Sequence, residues 1–349
     1  MKKICMLVVT GLMVGSASAQ SSISLYGILD AGVTYTNRVD TRTQKGALVQ
    51  FTSGSSQGSR WGLKGTEELG GGLKAIFTLE NGFDVGTGEL LQGGRQFGRQ
   101  AFVGLTGNWG GLTFGRQYDL IGDIFPAFAV GSNTPAGLLA WSLPAYAAGG
   151  YMLDNRVWGV QVDNAVKYES PSIAGFTVRG MYGFGNVAGS MGTNSSSNFA
   201  LSYDNGPLSA AIAYMSIHNA TSSANSREFA AGAAYLIGNA RLFGMISDVQ
   251  LGSGTKPRAT TYEAGVAYRV IPALSLAGGM HYQRRNNAVG SANQVTLSGD
   301  YFLSKRTDVY LVAALAQDHG FSAQAQAALG APSGTDGQTA VRFGIRHKF

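Results

Sequence analysis

Apolar residues recur at every second position along most of this chain. From Ile23 to Tyr35 the odd positions carry Ile23, Leu25, Gly27, Leu29, Ala31, Val33 and Tyr35, while Ser24, Asp30 and Thr34 stand among the even ones. A period of two marks a strand whose faces meet different surroundings. One face here suits hydrocarbon and the other suits water. Ser59, Trp61, Leu63 and Gly65 alternate with Arg60, Gly62, Lys64 and Thr66 in the same way. After the turn Glu68–Gly72, Leu73, Ala75, Phe77 and Leu79 oppose Lys74, Thr78 and Glu80. Two such runs around a tight glycine turn predict a hairpin. The last run repeats the pattern. Val341, Phe343, Ile345, His347 and Phe349 share one face, and Arg342, Gly344, Arg346 and Lys348 the other.

The connections set the strand count. Short turns fall at 68–72, 107–110, 170–175, 204–207, 237–239, 271–273 and 303–306. Longer polar or glycine-rich segments fall at 37–56, 83–95, 119–155, 187–197, 219–226, 251–259, 286–291 and 319–337. These fifteen connections predict sixteen antiparallel strands, an all-β chain with no domain boundary or linker. The longest connection is unusual. Between Asp123 and Asp154 there are thirty residues without a charge. Disordered segments are polar and charged, so this one is expected to be ordered. A long, ordered, apolar loop must pack against something, and we expect it to fold inside a barrel and narrow its lumen.

Composition turns an alternating sheet into a membrane one. Charged residues make up 13% of the chain, about half the usual share for soluble domains. Glycine is abundant, at 51 residues, and proline scarce, at 8. No run past the N-terminus approaches the ~18 apolar residues of a membrane helix. That leaves a closed β-barrel, the one other structure that satisfies its backbone in lipid. The N-terminus agrees. Lys2 and Lys3, an apolar stretch Ile4–Val14 and the small-residue site Ala17-Ser18-Ala19 read as a secretory signal peptide over residues 1–19. Cleavage there leaves 24 basic against 20 acidic residues, a net +4, and removes Cys5, the only cysteine. Disulfides and cysteine-ligated metals are thereby excluded. His218, His281, His319 and His347 lack metal-ligand spacing, so no metal or cofactor is expected. Tyr35, Phe83, Tyr118 and Tyr268, near predicted strand ends, are expected in the aromatic girdles of such a barrel.

The chain resembles the general, non-specific trimeric porins of Gram-negative outer membranes, in their betaproteobacterial branch. The matching stretches are Ser22–Asp30, Ser59–Ala75, Arg99–Leu105, Gly115–Asp119, Tyr203–Leu208, Leu303–Thr307 and Gly344–Phe349. They keep their order from the first strand to the last. The resemblance implies a 16-stranded transmembrane barrel, a homotrimer with the third external loop folded into each pore. It implies passive diffusion of ions and small hydrophilic solutes and contact with outer-membrane lipid and lipopolysaccharide; the sequence itself carries no nucleic-acid-binding module, so no nucleic-acid partner is expected. Phe349 looks like the family's terminal signal for the barrel-assembly machinery.

The resemblance also carries over a constriction. Arg60 and Arg99 match basic wall residues, Glu80 an acidic lumen residue, and Asp123 the acid that opens the loop motif, here Asp123-Ile124-Phe125-Pro126-Ala127-Phe128. Strand parity supports Arg60, which alternates with Trp61 and Leu63. It does not support Arg99, which shares a parity with Ala101, Val103 and Leu105, so a bulge or a position above the apolar band is required. Two departures stand out: Ala127 replaces the loop glutamate and Gln161 replaces a third wall arginine. Arg156 and Asp154 are candidates to substitute for them. Lys64, Lys74, Lys167 and Arg179 fall on the predicted lumen face.

Opposed charges of this kind orient a dipolar solute, and a basic wall on a net-positive chain predicts weak to moderate anion preference. The alternatives are a solute-specific channel, a surface adhesin, an outer-membrane barrel enzyme and a glycine-rich soluble β-sandwich. An adhesin is disfavoured by loops of moderate length without repeats. An enzyme needs a nucleophile and base together; the histidines at 218, 281 and 319 are expected at external strand ends or loops, and no nucleophile motif accompanies them.

Overall fold

A computed structural model describes residues 21–41, 43, 45–129, 147–148, 151–152, 161–218, 225–252, 256, 258–285, 290–319, 325 and 331–349. The alternating runs form β1 (Ser22–Asp40), β2 (Lys45–Ser53), β3 (Arg60–Gly70), β4 (Leu73–Gly82), β5 (Gln100–Gly107) and β6 (Gly110–Tyr118). They continue as β7 (Gln161–Glu169), β8 (Phe176–Gly183), β9 (Ser196–Asn205), β10 (Leu208–Ile217), β11 (Ser226–Ile237) and β12 (Ala240–Gln250). The last are β13 (Arg258–Ile271), β14 (Leu274–Arg285), β15 (Ser291–Phe302), β16 (Thr307–His319) and β17 (Gly337–Lys348). All seventeen lie in one sheet.

The sheet closes on itself. β17 pairs antiparallel with β1 from Ile28↔Lys348 to Thr36↔Ala340. On its other edge β1 meets β2 and β3 end to end: Ala31 faces Ser53, and Ile28 faces Arg60. These two segments are one stave interrupted at 54–59, so the barrel has sixteen staves. The predicted loop over 37–56 is corrected accordingly. Most of it is strand: Asp40 pairs back onto Lys45, and the second run extends to Ser53. Its Leu48-Val49-Gln50-Phe51 alternation continues the outer face, where Val49 and Phe51 lie opposite Tyr35 and Val33. Polar residues on both sides of that short run disguised it.

The two faces differ as the pattern requires. Ile23, Leu25, Val33 and Tyr35 point outward and are exposed, as are Phe343 and Ile345 across the seam, whereas Asp30, Thr34 and Thr36 point inward and are buried. A belt of exposed large apolar side chains is a poor surface in water and a good one in lipid. The terminal residue completes the seam. The Phe349 amide donates to the Gly27 carbonyl and the Gly27 amide to the Phe349 carbonyl, both at 3.1 Å. Any Cβ at position 27 would sit 2.3 Å from the Phe349 ring, so only glycine admits that ring.

The connection after β6 turns inward at once. Asp119 caps a short helix, Leu120–Ile124, by accepting the Gly122 amide at 2.8 Å. Leu120, Ile121, Phe125 and Phe128 are buried in one apolar cluster with Ala211, Ala213, Met215 and Ala230. Those partners lie on inward-facing positions of β10 and β11. The Phe128 ring covers Gly232, where an added Cβ would come within 2.9 Å of it. The first eleven residues of the expected 119–155 loop therefore lie against the inner wall. Most of the remainder, with Asp154 and Arg156, lies outside the described residues, as do residues 1–19 of the expected signal peptide.

A Gly27→Val substitution should overpack the seam by about 1–3 kcal/mol. The folded barrel in detergent should then lose its compact, heat-modifiable gel mobility at a lower temperature than the parent. Unchanged mobility at every temperature would mean that Phe349 does not need this seat.

Candidate pore-wall site

Three of the predicted residues meet on the inner face near β3, β4 and β5. Arg60 opens β3. Glu80 lies opposite Gly62 in the β3–β4 register, so it shares the inward face with Arg60. Arg99 immediately precedes β5, outside the regular pleat. There its amide donates to the Glu80 carbonyl at 3.2 Å, and its side chain turns inward. This resolves the parity conflict, because the alternation of β5 begins only at Gln100.

The ion pairs are close. Arg99 Nε lies 2.8 Å from Glu80 Oε1, and Arg60 Nε lies 3.5 Å from Oε2. The Tyr26 hydroxyl also donates to Oε2, at 3.0 Å. The Glu80 side chain is only 5% exposed, against 21% for Arg60 and 16% for Arg99. A carboxylate so enclosed requires compensation, and two guanidiniums supply more than one unit of it. The cluster keeps a net positive charge. Arg99 also lies over the Tyr118 ring, 5.6 Å from its centroid.

The other predicted positions lie elsewhere. Asp123, on the short inward helix, accepts from Lys167 of β7 and does not join Arg60, Arg99 and Glu80. Next to that pair, Arg179 Nε meets Glu169 at 2.5 Å while its Nη1 donates to Ser202 at 2.7 Å. The Lys64 ammonium stands over the Tyr26 ring at 5.4 Å. Lys74 pairs with Glu68 at 2.6 Å beside the first short turn. Ala127 ends a single 3-10 turn, Phe125–Ala127, between the two packed phenylalanines.

Sequence reasoning misplaced some residues and overlooked others. Tyr118 is not a girdle residue: it faces Arg99, because the ladder shifts register between Gly115 and Gln117. Gly115 takes φ +136° at that irregularity. Tyr26 was overlooked, although it shares a parity with Ser24 and Asp30. Arg116 was overlooked too. It pairs with Asp163, donates to the Gly98 carbonyl at 2.7 Å and reaches the Gln161 carbonyl at 3.4 Å. A basic side chain thus reaches the backbone of the position where an arginine was expected. His281 is corrected from a strand end or loop to the middle of β14, where it is buried on the inner face 2.9 Å from Glu263.

Comparison with known proteins gives one consistent picture. A family model described as Gram-negative porin matches residues 6–320. An outer membrane porin protein of Bordetella pertussis is 31% identical, with 96% of each chain covered. Outer membrane porin protein 32 of Delftia acidovorans is 33% identical, again over 96% of each. Among solved structures, an anion-selective porin from Comamonas acidovorans superposes with a TM-score of 0.79 at 26% identity, covering 95% of this chain and all of that one. A trimer form of OmpT from Vibrio cholerae shares the fold, with a TM-score of 0.70 at 16% identity over 94% of this chain and 99% of its own.

Replacing Glu80 by Gln should leave two guanidiniums facing each other without a counter-charge. Removing one partner of a buried pair costs about 3–5 kcal/mol; the partial exposure of both arginines places this case at the lower end. Thermal unfolding in detergent should shift downward for Glu80→Gln, and Glu80→Gln with Arg99→Gln should recover part of the loss. With Arg99→Gln measured alone as well, strictly additive losses would show that Glu80 and Arg99 are not coupled.

Proposed function

Because this chain belongs to the Gram-negative porin family, we propose that the Arg60–Glu80–Arg99 cluster gives its outer-membrane channel a weak anion preference. The protein is an outer membrane porin, not an enzyme, and crosses the membrane as a 16-stranded barrel. The carrying observation is the ratio at the wall: two arginines share one carboxylate. A net positive charge at the edge of a low-dielectric wall attracts anions and repels cations over the Debye length, ~10 Å at 0.1 M salt. The similarity to a porin described as anion-selective points the same way.

The apolar start of the third loop supports a narrowed lumen, since Phe125 and Phe128 occupy inner-wall space that water would otherwise fill. Asp123 supplies an acid there, neutralised by Lys167, so it weakens the positive field little. The solutes are small hydrophilic molecules and ions, admitted by size and charge. Porins form trimers, and we assign this chain a homotrimeric assembly, contact with outer-membrane lipid and lipopolysaccharide, and recognition of Phe349 by the barrel-assembly machinery.

The purified protein in a planar bilayer with a salt gradient should give a zero-current potential of the anion-selective sign. Arg60→Ala with Arg99→Ala should move that potential toward cations. A wild-type potential of cation-selective sign, or no movement in the double variant, would overturn the assignment.

A further inference from the structure

Asp30 lies on the inner face of β1, fully buried and outside the charge cluster described above. Its carboxylate joins two parts of the barrel. Oδ2 accepts the Ser56 amide at 2.8 Å and the Gln57 amide at 2.7 Å. Oδ1 accepts the Tyr310 hydroxyl of β16 at 2.5 Å and Arg342 Nη2 of β17 at 3.2 Å. Arg342 is itself fixed by Tyr310 at 2.7 Å, Thr34 at 3.1 Å and the Thr52 carbonyl at 3.1 Å. The Asp30 backbone adds to this. Its amide donates to Ser59 Oγ, its carbonyl accepts from the Ser59 hydroxyl, and the Gly54 amide donates to the same carbonyl at 2.8 Å.

On the β2–β3 side the contacts of Asp30 itself fall on 54–59, the break in the second stave. An unbroken strand would carry no such turn. Arg60 follows the turn directly and donates to the Gly58 carbonyl at 3.0 Å. Arg99 rests on the same glycine, with Nη1 2.9 Å from where a Gly58 Cβ would be. The turn is therefore a platform under both guanidiniums. Two consecutive amides directed at one carboxylate oxygen form a charge-assisted clamp that a neutral side chain reproduces poorly.

We infer that Asp30 is a positioning residue for the Arg60–Arg99 pair, its Oδ2 holding the 54–59 turn in place, while Tyr310 and Arg342 on Oδ1 serve the barrel seam. This rests on the reading that Arg60 and Arg99 set ion preference. A residue of the seam thereby governs selectivity without lining the pore itself. A purely structural Asp30 would affect stability alone. A positioning Asp30 also shifts the charges that ions meet.

The test compares Asp30→Asn with Tyr310→Phe in the full-length protein, reading the zero-current potential under a salt gradient alongside thermal unfolding in detergent. Tyr310→Phe weakens the seam but leaves both amide contacts, so it should lower the unfolding temperature and keep the parent potential. Asp30→Asn removes one negative charge, which by itself moves the potential toward anions; displacement of the two arginines should outweigh this, so the variant should unfold at a lower temperature and shift toward cations, in the direction of Arg60→Ala with Arg99→Ala. A folded Asp30→Asn barrel whose potential stays at the parent value or moves toward anions would overturn the inference. If Asp30→Asn does not assemble, Asp30→Glu takes its place, since its extra methylene displaces the turn while keeping the charge. A shifted potential then supports the inference, and an unshifted one overturns it. If the double arginine variant leaves the potential unchanged, the fault lies in the proposed function and not in the role of Asp30.

Discussion

Hydrocarbon offers no partner to a peptide group, and this structure follows from that constraint. An unpaired N–H or C=O in the bilayer core costs several kcal/mol. A sheet of this length can exist there only without edges, so the pairing of β17 with β1 is a condition for the other ladders. The residues at that seam reflect the requirement. Gly27 leaves room for the Phe349 ring, and Asp30, Tyr310 and Arg342 fasten first strand to last on the inner side. The side chains at the seam fix which pairing is made.

Closure creates two solvents, and the charges are distributed between them. The outer face carries Val33, Phe51 and Phe343 in register across three staves. The inner face carries the ionised groups, enclosed in compensating sets. At the wall, compensation is incomplete by design of the set itself: Glu80 cannot neutralise both Arg60 and Arg99. Under the third loop, Asp123 and Lys167 cancel. Of these two sets, one keeps a net charge and in the other the fixed charges balance.

Much of this was legible in the amino-acid order because the signal is periodic. Strand parity placed Arg60, Glu80 and Lys64 on the inner face, and the glycine turns placed most hairpins. What parity could not see was where the pleat breaks. Arg99 precedes its strand, Tyr118 follows an irregularity at Gly115, and 54–59 interrupts a stave. All three sit at the site. Each departure from regular alternation turns a side chain that the pattern assigned outward, or to no face, toward the cluster. His281 escaped for another reason: a lone histidine in a run of small and aromatic residues carries no positional signal, and only the β13–β14 register brings it to Glu263. The partner of Asp123 was likewise set by a pairing over forty residues away that no local pattern encodes.

The central claim is that the sheet encloses an aqueous path through a membrane. Single-channel recording of the detergent-extracted protein in a planar lipid film tests it most directly. The account predicts discrete current steps whose size grows nearly in proportion to salt concentration, as expected for bulk electrolyte in a fixed bore. A film that stays silent while the protein remains folded, or a polypeptide that is monodisperse in buffer without detergent, would contradict it.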